Sequence, residues 1–568
     1  MANFDEAKQR LMYSGSSPAI KTFTDSKVKA LIYNSSGGKA YFDQLKASLA
    51  RTDLTAVYIA GWWLGPNFSL DGLRKTPTLT SVLKTKSAAG VDVRVLGWVM
   101  APDVLNHPQV AAVGAGLFGM TMNSDTIDFI NELRTEATLK HKAVLNILPH
   151  PAGAVHTKMV ILTGKSWAEA YTGGLDLEET RHIQRVWHDV QAMVTGPAVE
   201  GPFELFRAMW NEVRSRPVSP KLRAFHPNGA TAIADSHTTS MPDLPARKLT
   251  STGGKMHVQS VRTLPQMKIH SPSMFSIGPS IPGNKPLSFA PNGAQEIKAV
   301  WEKAIKGARK YIYIEDQAFS SAEVFQWINT AVKANNELKV ILVAGADDPT
   351  APNPDALAHA FHVAVNKDLL DGLTAAQAGR IGLFLDRSKE VFGTGRLIHP
   401  KSTIVDDQWA LIGSANAMRR SLYTDIEHSV AFMDEEDKGV REYRTEMWNF
   451  HLKSSNPDID AAIAKWFAIP MQGSGAANSL LFWRAPIFPA GSFFKEKSLT
   501  GDDVLQLDEL MDVNSTVTWG THLVKALMSM SGAAAVGGGG GDAGTGGGGG
   551  DDRSGGGGGG GGGGRSGP

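Results

Sequence analysis

The sequence predicts a duplicated α/β fold, and three observations carry that prediction. A helical stretch leads into a strand twice: Gln44–Ala50 into Ala56–Ala60, and Ile297–Ala308 into Tyr311–Ile314. A further apolar strand follows each, Val91–Leu96 in the first half and Leu338–Val343 in the second. A His-x-Lys sequence opening an apolar run then follows each, VHTKMVIL from Val155 and IHPKSTIV from Ile398. Val57 and Ile312 are 255 residues apart, and His156 and His399 are 243 apart. Three features in one order at nearly one offset mark an internal repeat.

Each element has a local reason. Ala56-Val-Tyr-Ile-Ala60 and Tyr311-Ile-Tyr-Ile314 are β-branched and aromatic runs too short for helices. Val258–Thr263 begins the second half with the same strand chemistry. Residues 217–255 are rich in Pro, Ser, Thr and Asn with little periodicity, which reads as a linker or surface excursion. The expected organisation is a first lobe over 1–216, a second over 256–470, and an extension over 471–536 packing on the lobes. From Gly537 to Pro568 the chain is nearly all Gly and cannot bury enough apolar surface to offset its chain entropy, so a disordered tail is expected.

Composition sets bounds. A chain of 568 residues, 42% hydrophobic and 20% charged, is too long for one typical core and suits two lobes. Lys and Arg number 57 against 56 Asp and Glu, so bulk charge gives no support for phosphate-led nucleic-acid binding, and no nucleic acid is expected as a partner. The absence of Cys excludes disulfides, thiolate metal sites and Cys nucleophiles. The N-terminal residues are mixed and charged, and no apolar run approaches the roughly 18 residues of a spanning helix. The expectation is a protein soluble as made, touching membranes only peripherally.

Residues two apart on a strand share a face, so His156 with Lys158, and His399 with Lys401, each point into one pocket. Imidazole serves as nucleophile, acid or base near neutral pH, and an adjacent ammonium holds an anion against it. If the two halves face each other, two His and two Lys surround one space. That set suits a phosphodiester without any metal or cofactor. After His156 come Gly173-Gly174-Leu175-Asp176 and then Asp189; after His399 come Gly413-Ser414-Ala415-Asn416 and then Glu427. A carboxylate accepting from one ring nitrogen fixes the tautomer and frees the other nitrogen to react. Asp189 and Glu427 are the expected orienting groups.

These motifs resemble a family. His399-x-Lys401 with Asp406, followed by GSAN, is similar to the HxKxxxxD signature of the phospholipase D superfamily. The segments VHTKMVIL, YTGGLDLEETR and VWHDVQAMVTGPAVEGPFELFRAMW, with YIYIEDQAF and IHPKSTIVDDQWALIGSANAMRRSLYTDIEHSVAF, resemble the two catalytic segments of its eukaryotic-type branch. The likeness implies a two-lobed α/β/α sandwich with one site at a pseudo-two-fold interface, acting through a covalent phosphohistidine resolved by water or an alcohol. It implies His156 as nucleophile, His399 as general acid and then base, and Lys158, Lys401 and Asn416 as phosphate ligands. Asp176 occupies the place of Asn416 in the first half and is expected at the phosphate site with it. Gln317, Gly174, Ser414, Asp406 and Trp62 are expected as pocket or structural support. The implied partner is a phospholipid at a membrane or micelle surface, and with both motifs in one chain a monomer is expected. No cofactor is implied.

Five features depart from the family pattern or stand outside it. About 30 residues precede the first repeat, too few for a docking domain of the C2, PX or PH kind. Thr163 stands where the first motif's acid would be, seven residues after His156, so strand parity turns it away from the pocket, as it does Asp406. The aromatic stretch from Leu480 to Phe494 suits packing on the lobes or a lipid boundary. Trp62-Trp63 is expected to send one ring to the core and one to the pocket. Trp187-His188-Asp189 is weak as a metal signal, because His188 faces away from Asp189. A nuclease, a cardiolipin-synthase-like transferase and a catalytically dead lipid-binding module remain the alternatives.

Overall fold

The computed structural model describes residues 4–34, 38–99, 115–146, 148, 153–183, 187–215, 241–246, 248–266, 286–317, 319, 321–345, 368–386, 397–454, 456–469 and 480–483. The Gly-rich tail, most of the 471–536 extension and residues 217–240 lie outside them.

Among the described residues the first half contributes seven strands of four residues or more: β1 (Thr22–Asn34), β2 (Leu54–Gly61), β3 (Asp92–Trp98), β4 (Ala143–Asn146), β5 (Met159–Gly164), β6 (Ala168–Gly173) and β7 (Trp187–Thr195). Their order in the sheet is β4-β3-β2-β5-β6-β7-β1, parallel from β2 to β4 and antiparallel elsewhere. The second half repeats it with β8 (Met256–Leu264), β9 (Tyr311–Asp316), β10 (Lys339–Gly345), β11 (Ile381–Asp386), β12 (Lys401–Val405), β13 (Trp409–Gly413) and β14 (Glu427–Asp434). That order is β11-β10-β9-β12-β13-β14-β8. The repeat extends to register. Val57 faces Leu162 and Ile312 faces Val405, and both partners stand six residues beyond their His.

Period-two alternation explains the layers. Val57 and Ile59 point to an outer layer with helices α2 (Ala40–Leu49) and α3 (Leu79–Ala88), while Ala56, Tyr58 and Ala60 point inward. In the second half Ile312 and Ile314 face outward to α6 (Glu296–Lys306) and α7 (Ala322–Ala334), and Tyr311 and Tyr313 face inward. Helices α4 (Ala115–Arg134) and α5 (Glu200–Arg214) complete the first half, and α8 (Gly439–Leu452) and α9 (Ile459–Phe467) the second. Between the sheets lies one shared core holding Phe203, Phe206 and Trp210 of α5 with Trp448 of α8 and Trp466 of α9, all fully or almost fully buried. Each such side chain removes roughly 2 kcal/mol or more of apolar surface from water, so the halves are held together by a common interior.

Two segments cross the expected boundaries. Helix α1 (Phe4–Leu11) packs Ala7 and Leu11 against Trp301 and Ile305, in the outer core of the second half. Strand β1 begins by pairing with β8, Phe23 opposite Val258, and then bends at Asp25, whose φ is 53°, to pair with β7. The segments Phe4–Leu11 and Thr22–Ser26 therefore pack with the half that follows much later in sequence. Of the aromatic extension, Leu480–Trp483 forms β15, an antiparallel edge strand beside β11.

Candidate active site

Both His-x-Lys sequences enter their strands from a residue clamped to the opposite half. The His156 N–H donates to the Ile426 carbonyl at 2.9 Å, next to Glu427, and the His399 N–H donates to the His188 carbonyl at 2.9 Å, next to Asp189. The side chains follow the same exchange. His156 Nδ1 lies 3.0 and 3.1 Å from the two Glu427 oxygens, and His399 Nδ1 lies 2.6 Å from Asp189 Oδ2. Each imidazole thus meets the carboxylate of the other half, 271 and 210 residues away. The sequence spacing, which sets each carboxylate after the His of its own half, does not reveal this crossing.

Electrostatics follow from near-complete enclosure. Burial, reinforced by the neighbouring lysines, pushes both imidazoles well below the usual histidine range, so both rings are neutral at neutral pH. Burial pushes the carboxyls the other way, Asp189 to about 8 against the pull of Lys401, and Glu427 to about 7 against its bond from Ser414. Each His–carboxyl pair therefore shares a proton, and a proton on Nδ1 leaves the Nε2 lone pair for chemistry. Burial also lowers Lys158 to about 8, with Asp176 opposing, and lowers Lys401, with Asp189 and Asp316 opposing.

The supporting residues differ between halves. Lys158 Nζ donates to the His156 carbonyl at 3.1 Å and Lys401 Nζ to the His399 carbonyl at 2.7 Å. Gln317 Oε1 lies 3.5 Å from Lys401 Nζ. Ser414 donates its hydroxyl to Glu427, whereas at Gly174 a Cβ would fall 2.2 Å from Asp189 Oδ1, so the shorter carboxylate is met by a residue without a side chain. Asn416 is buried, and its Oδ1 has no protein partner. Asp176, its counterpart, is differently engaged: its carboxylate accepts from Arg181 Nη2 at 2.7 Å and from the Trp63 N–H at 3.2 Å, and lies 3.7 Å from Lys158. Trp63 is core, its indole N–H donating to Asp125 at 2.9 Å, while Trp62 walls the pocket with its ring 4.7 Å from Lys158 Nζ and 5.3 Å from the His156 ring.

The two motif-end positions stand away from the reacting groups. Asp406 accepts from the N–H groups of Arg309, Lys310 and Tyr311 at 2.9, 2.7 and 2.9 Å and from Arg10 at 2.7 Å, anchoring the start of β9. Thr163 instead meets the Thr55 hydroxyl at 3.0 Å, at the start of β2.

Sequence reasoning missed Arg181 and one buried cluster. His188 does face away from Asp189, and its Nε2 reaches Glu315 Oε1 at 3.2 Å, which also meets His451 Nε2 at 3.1 Å. Among the described residues this is the group with metal-ligand spacing, its ligand atoms all within 4.8 Å. Both Glu315 oxygens are already engaged, because Tyr313 donates to Oε2. Burial alone would raise this carboxyl; the two imidazoles outweigh it and hold it far below its usual range. The cluster is a buried clasp joining β7 to β9 and α8 behind Asp189. The matching residue beside Glu427, His428, bonds Thr172 and Ser260 at 3.0 and 2.8 Å, and burial lowers it to about 3.

Known proteins place this arrangement. The family model described as "Cardiolipin synthase, PLD-like domain" matches residues 302–450, which run from α6 to α8 and include the second His-x-Lys and Glu427. Curated relatives from Arabidopsis thaliana match across more of the chain: phospholipase D gamma 2 is 24% identical over 360 residues, and phospholipase D beta 1 is 21% identical over 555. The PLD-like family match over residues 302–450 and these plant relatives together support the phospholipase D superfamily for this chain. The match covers 53% of this chain and 39% of the gamma 2 protein, and 73% and 48% for beta 1, so the chain spans less than half of these relatives. Among solved structures, phosphatidylserine synthase of Haemophilus influenzae Rd KW20 aligns over 78% of this chain and 89% of its own at 14% identity and a TM-score of 0.47. Polyphosphate kinase of Porphyromonas gingivalis aligns over 75% and 47% at 12% identity and 0.41. Neither of these two likenesses bears on the chemistry.

Proposed function

We propose that the protein is a phosphodiesterase of the phospholipase D type, hydrolysing the distal phosphodiester of a glycerophospholipid to phosphatidate and free head group. The observation that carries this reading is the crossed pair of neutral imidazoles, each with Nδ1 on a buried carboxylate and a lysine two residues away. His156 Nε2 attacks phosphorus, and the bond to the head-group oxygen breaks as His399 gives that oxygen a proton. The entering phosphate anion offsets the lysine charges and lets His399 hold that proton beforehand. Water then loses a proton to His399 Nε2 and attacks phosphorus, releasing His156. Lys158, Lys401 and Asn416 hold the equatorial oxygens through the transition state. Every step uses side chains of this chain.

The description of the matching family model favours a second reading, in which an alcohol takes the place of water and the product is a new diester. One assay separates the two. Phosphatidylcholine and phosphatidylethanolamine in mixed micelles are incubated with and without ethanol, and free head group, phosphatidate and phosphatidylethanol are measured. Head-group release with phosphatidate as the product supports hydrolysis. Release only with an alcohol supports transfer. Release undiminished in His156→Ala, or no release from either lipid under either condition, would sink the assignment.

A further inference from the structure

The two lysines of the site keep different company. Near Lys401 stand Gln317 and Asp316, and the carboxylate of Asp316 accepts the Ala417 N–H at 2.9 Å. Near Lys158 stands Asp176, with Arg181 on its far oxygen. Arg181 is only 3% exposed, and its guanidinium lies 4.0 Å over the ring of Trp187, which in turn meets the His399 ring at 5.0 Å. A buried Asp–Lys pair with nothing else beside it would be a closed, neutral ion pair that a phosphate would have to pull apart. A guanidinium keeps its charge under all ordinary conditions, so Arg181 adds a positive charge beside the Asp176–Lys158 pair; on its other side the buried Glu178 Oε2 lies 3.9 Å from Arg181 Nη1, and burial raises that carboxyl.

We propose that Arg181 is a positioning residue for Lys158: by holding one oxygen of Asp176 it lets that carboxylate attract the Lys158 ammonium without capturing it, so the ammonium remains available to the phosphate. The inference deepens the function proposed above and rests on it. The same asymmetry separates Asp176 from Asn416 and makes the acid a partner of the lysine, not of the substrate. The charged and titratable groups facing Lys158 are His156, Asp176, Arg181, Asp189, His399, Lys401 and Glu427, with the Trp62 ring 4.7 Å from its ammonium. Burial depresses Lys158 to about 8; Asp176 opposes that shift and Arg181 adds to it.

Removing either partner should therefore move the alkaline limit of anion binding in opposite directions. The probe is dimethyl phosphate, which stays a monoanion throughout, with its dissociation constant measured by ligand-observed NMR between neutral and alkaline pH. In the wild type, binding should weaken as pH rises through about 8. Asp176→Asn should move that midpoint down by about one unit, roughly tenfold weaker binding at alkaline pH. Arg181→Gln should move it up while weakening binding several-fold at neutral pH, and Arg181→Lys should restore the neutral-pH affinity. If either single variant lacks a cooperative melt, the double variant Asp176→Asn/Arg181→Gln, which leaves no unpaired charge in this triad except Lys158, carries the test. There the double variant is compared with whichever single variant folds: its midpoint should lie above that of Asp176→Asn or below that of Arg181→Gln, and a midpoint equal to that single variant's overturns the inference. Shifts of the same sign in both single variants also overturn it. Wild-type binding that survives Lys158→Ala unchanged, or no wild-type binding at all, instead removes the functional reading on which the inference rests.

Discussion

The corner after the first motif and the corner after the second do the same work with different chemistry. At Asp406 a carboxylate gathers three backbone N–H groups and Arg10 to fix the start of β9. At Thr163 a hydroxyl pair with Thr55 fixes the start of β2. Strand registers match up to the corners, Val57 with Leu162 and Ile312 with Val405, and so do the main-chain clamps that deliver His156 and His399. The divergence lies in side chains (Thr for Asp at the corner, Gly for Ser and Asp for Asn in the turn, Asp for Glu beyond it) and in the corner backbone, where the first pairing bulges at Thr55 and runs to Gly164 while the second ends at Val405 and turns through left-handed Asp406 and Asp407. Backbone pairing preserved the frame, and each half then adjusted the groups that touch its own neighbours. A missing motif acid at a position turned away from the pocket is thus a change of anchor, and says nothing against the chemistry of the first half.

The comparison can be broken most severely at the two imidazoles. His156→Ala and His399→Ala should each lower head-group release by roughly a thousandfold or more, measured at saturating substrate. The crossed carboxylates come next, at roughly a hundredfold, and they should differ in kind. Asp189→Asn acts on His399, so phosphohistidine should accumulate after a denaturing quench at alkaline pH, whereas Glu427→Gln acts on His156 and should yield none. Accumulation in Glu427→Gln alone would mean that the roles of the two halves are exchanged, and accumulation in both would mean that the roles are not divided between them. A smaller, graded effect follows from Lys158. It is protonated below about 8, so kcat/KM should fall up to about tenfold per unit as pH rises above that value, and a limb displaced well above it would contradict the burial argument. The least effect belongs to the corners. Asp406→Asn should cost about 3 kcal/mol in urea unfolding and Thr163→Val about 1 kcal/mol, since bonds to a charged acceptor are worth more than a hydroxyl pair. Equal costs would show that the two anchors are not the unequal devices their partners imply.

Much of this molecule could be read from residues alone, because the repeat leaves a periodic trace. The helix-strand passages at 44–60 and 297–314 appear as α2-β2 and α6-β9, and strand parity placed His188 opposite Asp189 and set Thr163 and Asp406 aside. What the sequence does not carry is which half supplies a partner. Asp189 and Glu427 were legible as imidazole partners by residue type, but their exchange depends on where β7 and β14 meet the opposite His-x-Lys entry, a matter of tertiary contact. Asp176 looked like a phosphate ligand by its alignment with Asn416. Only the placement of Arg181, five residues on in a short helical turn, engages its far oxygen. Strand β1 went unread for a related reason, since it takes in the first sheet the place β8 takes in the second and yet begins by pairing with β8 itself.

The crossing has a consequence for the order of synthesis. His156 leaves the ribosome long before Ile426 and Glu427, which supply its clamp and its proton partner from 271 residues downstream. Until those residues have emerged and docked, His156 has neither its clamp nor its carboxyl partner. The last-made portion of the site completes the first-made one, and a chain cut before Ile426 carries every residue of the first motif without the groups that hold its histidine.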